Sequence, residues 1–360
     1  MMCDQGKQSD HQSGQHLTEP KKTHVKDRLD PYRVCVIGAG SIGLWFGGIS
    51  SLFADVTFIT RRVQQADRLV QNGVKLIRDE KAVIRGVDAY PMKEIRHDPS
   101  FLRQYDLIVV SVKQYQLPSV MTFLQDSLLT EQNALYFLMN GMSHLGQRYD
   151  VINSPIYLGM TQSGATRLSD TDVQERGLGL TLYGRYDPDQ SLSTPSCPPS
   201  HSRESGLWQC MKEGFNEHHV PFEYTDHVWM PIIQKCIVNA CINPLTALFR
   251  VQNGELIADE TLHILLMQAY EELASFISDA YPEQADKILK QGKLKEEIID
   301  ICRITSGNIS SMLQDIRASR ETEIDAINGY FIRMAEKQQL GSLPTHNFLY
   351  RSIKYLEQQN

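Results

Sequence analysis

Residues 33–53 read RVCVIGAGSIGLWFGGISSLF, and the order of those letters decides the fold of the first half of the chain. Arg33 to Ile37 are a short apolar, β-branched run. Glycines follow, then an amphipathic stretch, so the pattern predicts a strand, a tight turn and a helix. In that context Gly38-Ala39-Gly40-Ser41-Ile42-Gly43 is a G-x-G-x-x-G of the dinucleotide-binding kind. Gly38 permits the turn, Gly40 lets backbone N–H groups approach a pyrophosphate, and Gly43 allows close helix packing. The helix N-terminus then favours the anion. The alternative is a glycine-rich turn with no ligand, and the neighbouring strand ends must decide between them.

Further apolar runs follow at 55–60 (DVTFIT), 105–112 (YDLIVVSV), 134–139 (ALYFLM) and 155–160 (PIYLGM). Segments able to hold a helix or a small hairpin separate the first four, which predicts a mostly parallel sheet. After a helix-plus-strand pattern at 207–225, helical spacing takes over and no strand is evident. The expected fold class is therefore α/β, with a Rossmann-type dinucleotide-binding domain over 32–226 followed by an all-helical domain over 227–360. Residues 1–31 have almost nothing to bury and read as a disordered tail. Residues 187–206, dense in Pro and Ser, read as a mobile surface loop.

The whole chain has 360 residues and a formal charge of −7, with no basic cluster beyond short Lys/Arg pairs, which argues against a nucleic-acid surface. No apolar run reaches the roughly 18 residues of a membrane span, and no signal-peptide pattern opens the chain. The expectation is a cytoplasmic protein with no membrane or nucleic-acid partner. The seven cysteines are scattered without a C-x-x-C pair and read as reduced thiols, and no metal is expected. Oligomeric state stays open, a homodimer included.

An NAD enzyme would place an acidic residue at the end of the second strand, to hold the ribose 2′-hydroxyl. Here that strand ends Ile59-Thr60-Arg61-Arg62, and Asp55 precedes it. Two guanidiniums and no carboxylate suit a 2′-phosphate, so the expected cofactor is NADPH. The alternative is two exposed arginines starting a helix. Lys113 and Gln116 after the third run, and Asn140 after the fourth, also sit at strand ends, where open α/β sheets bind ligands. Each also has a bland explanation, a solvated lysine or an Asn-Gly turn.

Residues 229–248 read WMPIIQKCIVNACINPLTAL. Lys235, Asn239 and Asn243 are spaced i, i+4, i+8 and share one stripe of a helix that is otherwise apolar. A lysine and two carboxamides there are costly unless they line a polar cavity or meet partners. A ligand would supply partners; so would neighbouring backbone at an interdomain helix. Cys236 and Cys241 read as packing residues. Farther on, Glu323 falls on one helical face with Ile327, Tyr330 and Met334, where a carboxylate is out of place. It is either a site residue or a boundary carboxylate paired with Arg320 or Arg317.

With K-x-x-x-N-x-x-x-N-P-L-T-A (235–247), N-G-E-L (253–256), S-S-M-L-Q-D-I (310–316) and T-E-I-D-x-I-N-G (322–329) in order, the chain from Arg33 almost to its end resembles the ketopantoate reductases. That family makes pantoate for pantothenate and coenzyme A synthesis. The resemblance implies NADPH-dependent reduction of 2-dehydropantoate, with Lys235 as proton donor. It implies that Asn239, Asn243, Asn253 and Ser311 bind the keto acid and that Glu323 helps to hold the ternary complex. Lys113, Gln116, Asn140 and Ala165 match cofactor-side positions, and Asn140 also matches a substrate contact. The tail, the loop from Asp187, and Gln162-Ser163-Gly164 before Ala165 depart from the family pattern. Members with the same signature reduce other branched 2-keto acids, so a different acid on the same scaffold is the nearest rival. A non-catalytic nucleotide sensor would have little use for Lys235 together with Glu323.

Overall fold

The computed structural model describes residues 31–146, 149, 152–186 and 202–359. The expected disordered tail and most of the Pro/Ser loop lie outside the described residues. Residues 202–206, counted in that loop by composition, instead begin the Ser202–Glu217 helix. Its buried face carries Leu207, Trp208 and Met211, which supply the apolar contact that the preceding prolines and serines lack.

Among the described residues twelve strands run in chain order: β1 (Arg33–Ile37), β2 (Asp55–Thr60), β3 (Val74–Arg78), β4 (Lys81–Arg85), β5 (Asp88–Pro91), β6 (Leu107–Val110), β7 (Ala134–Leu138), β8 (Ile156–Thr161), β9 (Gly164–Arg167), β10 (Asp172–Gly177), β11 (Thr181–Tyr186) and β12 (Phe222–Tyr224). Eight of them form one sheet in the order β12-β11-β8-β7-β6-β1-β2-β5. All its pairings are parallel except β8 with β11. Helix α1 (Ser41–Ser50) follows β1, and helix α2 (Val63–Asn72) follows β2. β1 shows how the sheet sorts its side chains: Val34 and Val36 enter one core while Cys35 and Ile37 enter the other. Leu107 and Val109 of β6 alternate with Ile108 and Val110 in the same way. Both faces are covered, which is why these strands read as continuous apolar runs rather than as alternating ones.

The core on the α1 side is aromatic. Trp208 stacks on Tyr183 at 4.3 Å between ring centroids, and Phe215 packs on Phe46 at 4.8 Å. A second sheet, β4-β3-β10-β9, was not expected from the sequence beyond a small hairpin. Its strands are short and partly exposed, so no long apolar run marks them. The sheet lies against α1, and Glu175 of β10 accepts from Trp45 Nε1 at 2.8 Å and from Arg78 Nε at 2.9 Å.

The last strand ends at Tyr224, and described residues beyond it are helices and turns. The Trp229–Phe249 helix is the hub, packed on the Glu260–Ala280, Ser311–Arg317 and Pro344–Gln358 helices. By length and hydropathy this helix could cross a membrane, which corrects the expectation that no apolar stretch reaches that size. Its apolar surface is mostly buried: Ile233, Ile237, Ala240 and Cys241 all lie in the core. Among the described cysteines, Cys35, Cys236, Cys241 and Cys302 are buried free thiols, and Cys210 is buried as well.

Candidate active site

At the end of β1 the backbone of Gly38 turns with φ +105°, and a Cβ there would meet the Ser111 carbonyl oxygen at 2.5 Å. A Cβ on Gly43 would lie 1.8 Å from the Gly38 carbonyl oxygen, so helix and turn can approach only as glycines. Gly40 differs, because a Cβ there meets nothing within 4 Å. It is the N-cap of α1 and supplies no side-chain capping bond, so the cap leaves the first N–H groups of the helix for another partner. Bare helix N–H groups beside an open Gly40 fit a pyrophosphate. Ser41 Oγ accepts from the Arg167 N–H at 3.2 Å, which fastens β9 over this turn. Ala165 lies on β9, partly buried against the α1-side core, and Ile42 packs on the same core.

Arg61 and Arg62 follow β2 and are exposed, with Arg62 as the N-cap of α2. The strand end itself carries no carboxylate, as read from the sequence, but Arg62 forms an ion pair with the distant Asp170. Arg68 binds the other oxygen of that carboxylate at 2.8 Å. Asp170 belongs to the β9–β10 turn, more than a hundred residues away, so the strand-end pattern cannot reveal it. Arg167 feels the charges of Arg62, Arg320 and Arg61; its pKa is lowered by burial first and by these cations next. Guanidiniums from three separate segments therefore converge beside the glycine-rich turn.

Lys113, after β6, reaches into the helical region. Its Nζ lies 2.9 Å from Asp315 Oδ2 and 3.1 Å from Glu323 Oε2. Burial alone would lower its pKa, but the two carboxylates outweigh that and raise it above the ordinary lysine range. The backbone N–H of Gln114 donates to Glu323 Oε1 at 3.3 Å, and its side chain donates to the Asn140 carbonyl at 2.5 Å. Gln114 also meets the fully buried His144 Nδ1 at 3.0 Å, and burial holds that imidazole down to about 4. The Met142 N–H donates to the Ala326 carbonyl at 3.0 Å. Two strand-end loops thus grip the segment that carries Glu323. Gln116, half-buried, ends the short turn of helix that follows Lys113.

Glu323 itself needs a correction. The helical spacing placed it on a face with Ile327, Tyr330 and Met334, but 318–327 is non-helical, and helix resumes only at Asn328. Its partner is neither Arg320 nor Arg317. Arg320 binds Asp315 instead, at 3.0 Å. The turn lets the carboxylate point back toward Lys113 while Ile324 and Ile327 fill the core.

On the Trp229–Phe249 helix, Lys235 Nζ donates to the Thr161 carbonyl at 2.7 Å. That places an ammonium at the carboxyl end of β8. Burial pulls its pKa down to about 8, a fall that the charge of Glu323 partly opposes. Asn239 and Asn243 continue the stripe, half-buried and buried, and neither carboxamide has a hydrogen-bonded partner among the described residues. Asn253 Nδ2 donates to Thr305 Oγ1 at 2.9 Å, while its Oδ1 is buried with no partner among the described residues. Ser311 is exposed at the start of its helix. Ser310 instead caps it, accepting from the Leu313 N–H at 3.1 Å and from Thr246 Oγ1 at 2.7 Å.

Sequence reasoning passed over Gln114, Thr161, Arg167, Asp170 and Asp315. Asp315 had a usable signal: it lies with Met312 and Ile316 on the buried face of its helix. Thr161 acts through its backbone and has none.

Two family models cover most of the chain: "Ketopantoate reductase PanE/ApbA" over residues 34–188 and "Ketopantoate reductase PanE/ApbA C terminal" over 228–357. A 2-dehydropantoate 2-reductase of Bacillus subtilis (strain 168) is 34% identical over 326 residues, 90% of this chain and 97% of the relative. One of Listeria monocytogenes is 30% identical over 328 residues, again 90% of this chain and 97% of the relative. Among solved structures, one described as a "Probable 2-dehydropantoate 2-reductase" of Bacillus subtilis superposes with TM-score 0.69 at 33% identity, covering 90% of this chain and 99% of that one. A D-mandelate dehydrogenase solved with NADH and anilino(oxo)acetate shares the fold, with TM-score 0.73 at 22% identity over 91% of this chain and 98% of that one. With both halves matched by the family models and a relative 34% identical over 90% of this chain, the chain belongs to the ketopantoate reductase family.

Proposed function

We propose that this chain is an NADPH-dependent 2-dehydropantoate 2-reductase that forms pantoate. The observation that carries the reading is the Lys235 ammonium, held at the carboxyl end of β8 by the Thr161 carbonyl with a pKa near 8. A donor with that pKa is largely protonated at neutral pH yet gives its proton up readily. The bare N-terminus of α1 and the open space at Gly40 would hold the pyrophosphate. Arg61 and Arg62 would take the 2′-phosphate, with Arg167 as a third cation.

When bound, the nicotinamide supplies the hydride that reduces C2 of the keto acid. Lys235 lends positive charge to the carbonyl oxygen as it becomes an alkoxide and passes it a proton from Nζ, leaving the hydroxy acid and a neutral amine. Asn239 and Asn243 offer N–H donors to substrate oxygens, and Ser311 a hydroxyl. Asn253 Oδ1, unpartnered among the described residues, accepts a substrate hydroxyl. Glu323 keeps Lys235 cationic and is itself fixed by Lys113 and the Gln114 N–H.

The test is NADPH oxidation by the purified chain with 2-dehydropantoate, set beside a panel of branched 2-keto acids. A kcat/KM highest for 2-dehydropantoate supports the reading. A clear preference for another acid moves the assignment to that acid, and no turnover with any overturns it.

A further inference from the structure

The NADPH reading rests on arginines, yet the structure adds a carboxylate among them. Asp170 Oδ1 binds Arg62 Nη2, and Oδ2 binds Arg68 Nη1 at 2.8 Å. Its own backbone is anchored: Gln65 Nε2 donates to the Asp170 carbonyl at 3.0 Å and to the Ala39 carbonyl of the glycine-rich turn at 2.9 Å. Gln65 is buried, so the β9–β10 turn, α2 and the glycine-rich turn are tied at one point.

A carboxylate beside a phosphate site can act in two opposite ways. It can compete for the guanidiniums and repel the phosphate, or it can gather like-charged arginines that would otherwise spread apart. Three observations favour gathering. The Asp170 side chain is only 10% exposed, whereas Arg62 and Arg68 keep 43% and 60% of theirs open, so the anion lies beneath and the cations face outward. Each guanidinium has five N–H donors, and each gives one to Asp170 in the described bonds, so most remain for a phosphate. Arg61 and Arg167 stand in the same field, leaving the local balance positive.

Resting on the reading of Arg61 and Arg62 as the phosphate-binding pair, we propose that Asp170 is a specificity-determining residue: it positions Arg62 and Arg68 beside the glycine-rich turn and so favours a 2′-phosphorylated dinucleotide. Asp170 touches no cofactor in this scheme; it acts through the two arginines. The carboxylate is worth more as an organiser of two cations than it costs as one negative charge near an anion, because both of its oxygens are already neutralised by close partners.

Titration of NADPH and NADH into the full chain, followed by calorimetry, tests this without turnover. The parent should bind NADPH more tightly than NADH. Asp170→Asn should weaken NADPH on the order of 10-fold, the scale of a lost charge-assisted hydrogen-bond arrangement, and leave NADH as it was. In an Arg62→Ala/Arg68→Ala background the same change should have little further effect, since the residues it positions are gone. NADPH binding that is unchanged or tighter in Asp170→Asn overturns the proposal, as does an equal loss for both cofactors, which would make Asp170 a support of the whole pocket. A parent that binds both cofactors equally overturns the reading of Arg61 and Arg62, an outcome visible before any Asp170 variant is made.

Discussion

Lys113 Nζ lies 3.1 Å from Glu323 Oε2, a cation from the carboxyl end of β6 meeting an anion from the helical region. The same carboxylate acts to raise the pKa of Lys235 against the effect of burial, so one side chain links a strand end to the proposed proton donor. Glu323→Gln removes that charge. The Lys235 pKa should then drop below its present value of about 8. Because the donor must be protonated, the basic limb of kcat/KM for reduction should move to lower pH. A pH profile that superposes on the parent's would show that Glu323 does not tune the lysine.

Arg61→Ala/Arg62→Ala should weaken NADPH and barely touch NADH. Losing charge-assisted bonds to a phosphate costs roughly 1.5 to 3 kcal/mol each at most. Both arginines are exposed and Arg62 already shares a donor with Asp170, so the lower end is expected. Equal kcat/KM for the two cofactors in the unaltered chain would remove the basis for this prediction.

Much of this architecture was legible because burial writes itself into sequence at a fixed period. β1, β2, β6, β7 and β8 are covered on both faces and appear as apolar runs, and the Trp229–Phe249 helix shows its polar stripe at a spacing of four. The second sheet was not legible: β4 is largely exposed, and its pairing with β3 leads on to β10, almost a hundred residues later. Glu323 was singled out for a sound reason, a carboxylate among apolar neighbours, but the wrong geometry was attached to it. The chain leaves helix between Arg317 and Asn328, and side-chain periodicity does not register a turn whose isoleucines happen to fall at helical spacing. Partners such as Asp170 and Thr161 are products of tertiary closure and leave no local trace.

Ser310 and Ser311 are adjacent but should behave differently. Ser310→Ala removes an N-cap and the acceptor for Thr246, so it should lower stability by about 0.5 to 2 kcal/mol, read as a lower melting temperature. Ser311→Ala should leave the melting temperature alone and raise KM for the keto acid. If Ser311→Ala changed neither KM nor kcat, the substrate role would have to pass to another residue.

Lys235 is the decisive position. Only a lysine on that stripe can both donate a proton and carry positive charge at an alkoxide, whereas Asn239 and Asn243 can only hydrogen-bond. Lys235→Ala should cut kcat by roughly 100-fold to 10,000-fold, the range for removing a general acid, while NADPH still binds. Asn239→Ala and Asn243→Ala should act mainly through KM, because they remove bonds made in ground and transition states alike. The lysine's signature is in the pH profile. With a pKa lowered to about 8 by burial, the parent's kcat/KM for reduction should fall as pH rises through that value, since the amine form has no proton to give. In Lys235→Ala that limb should vanish, and what activity remains should be flat through the same range. A variant that kept the limb, or turned over within a few-fold of the parent, would place the acid elsewhere among the strand ends.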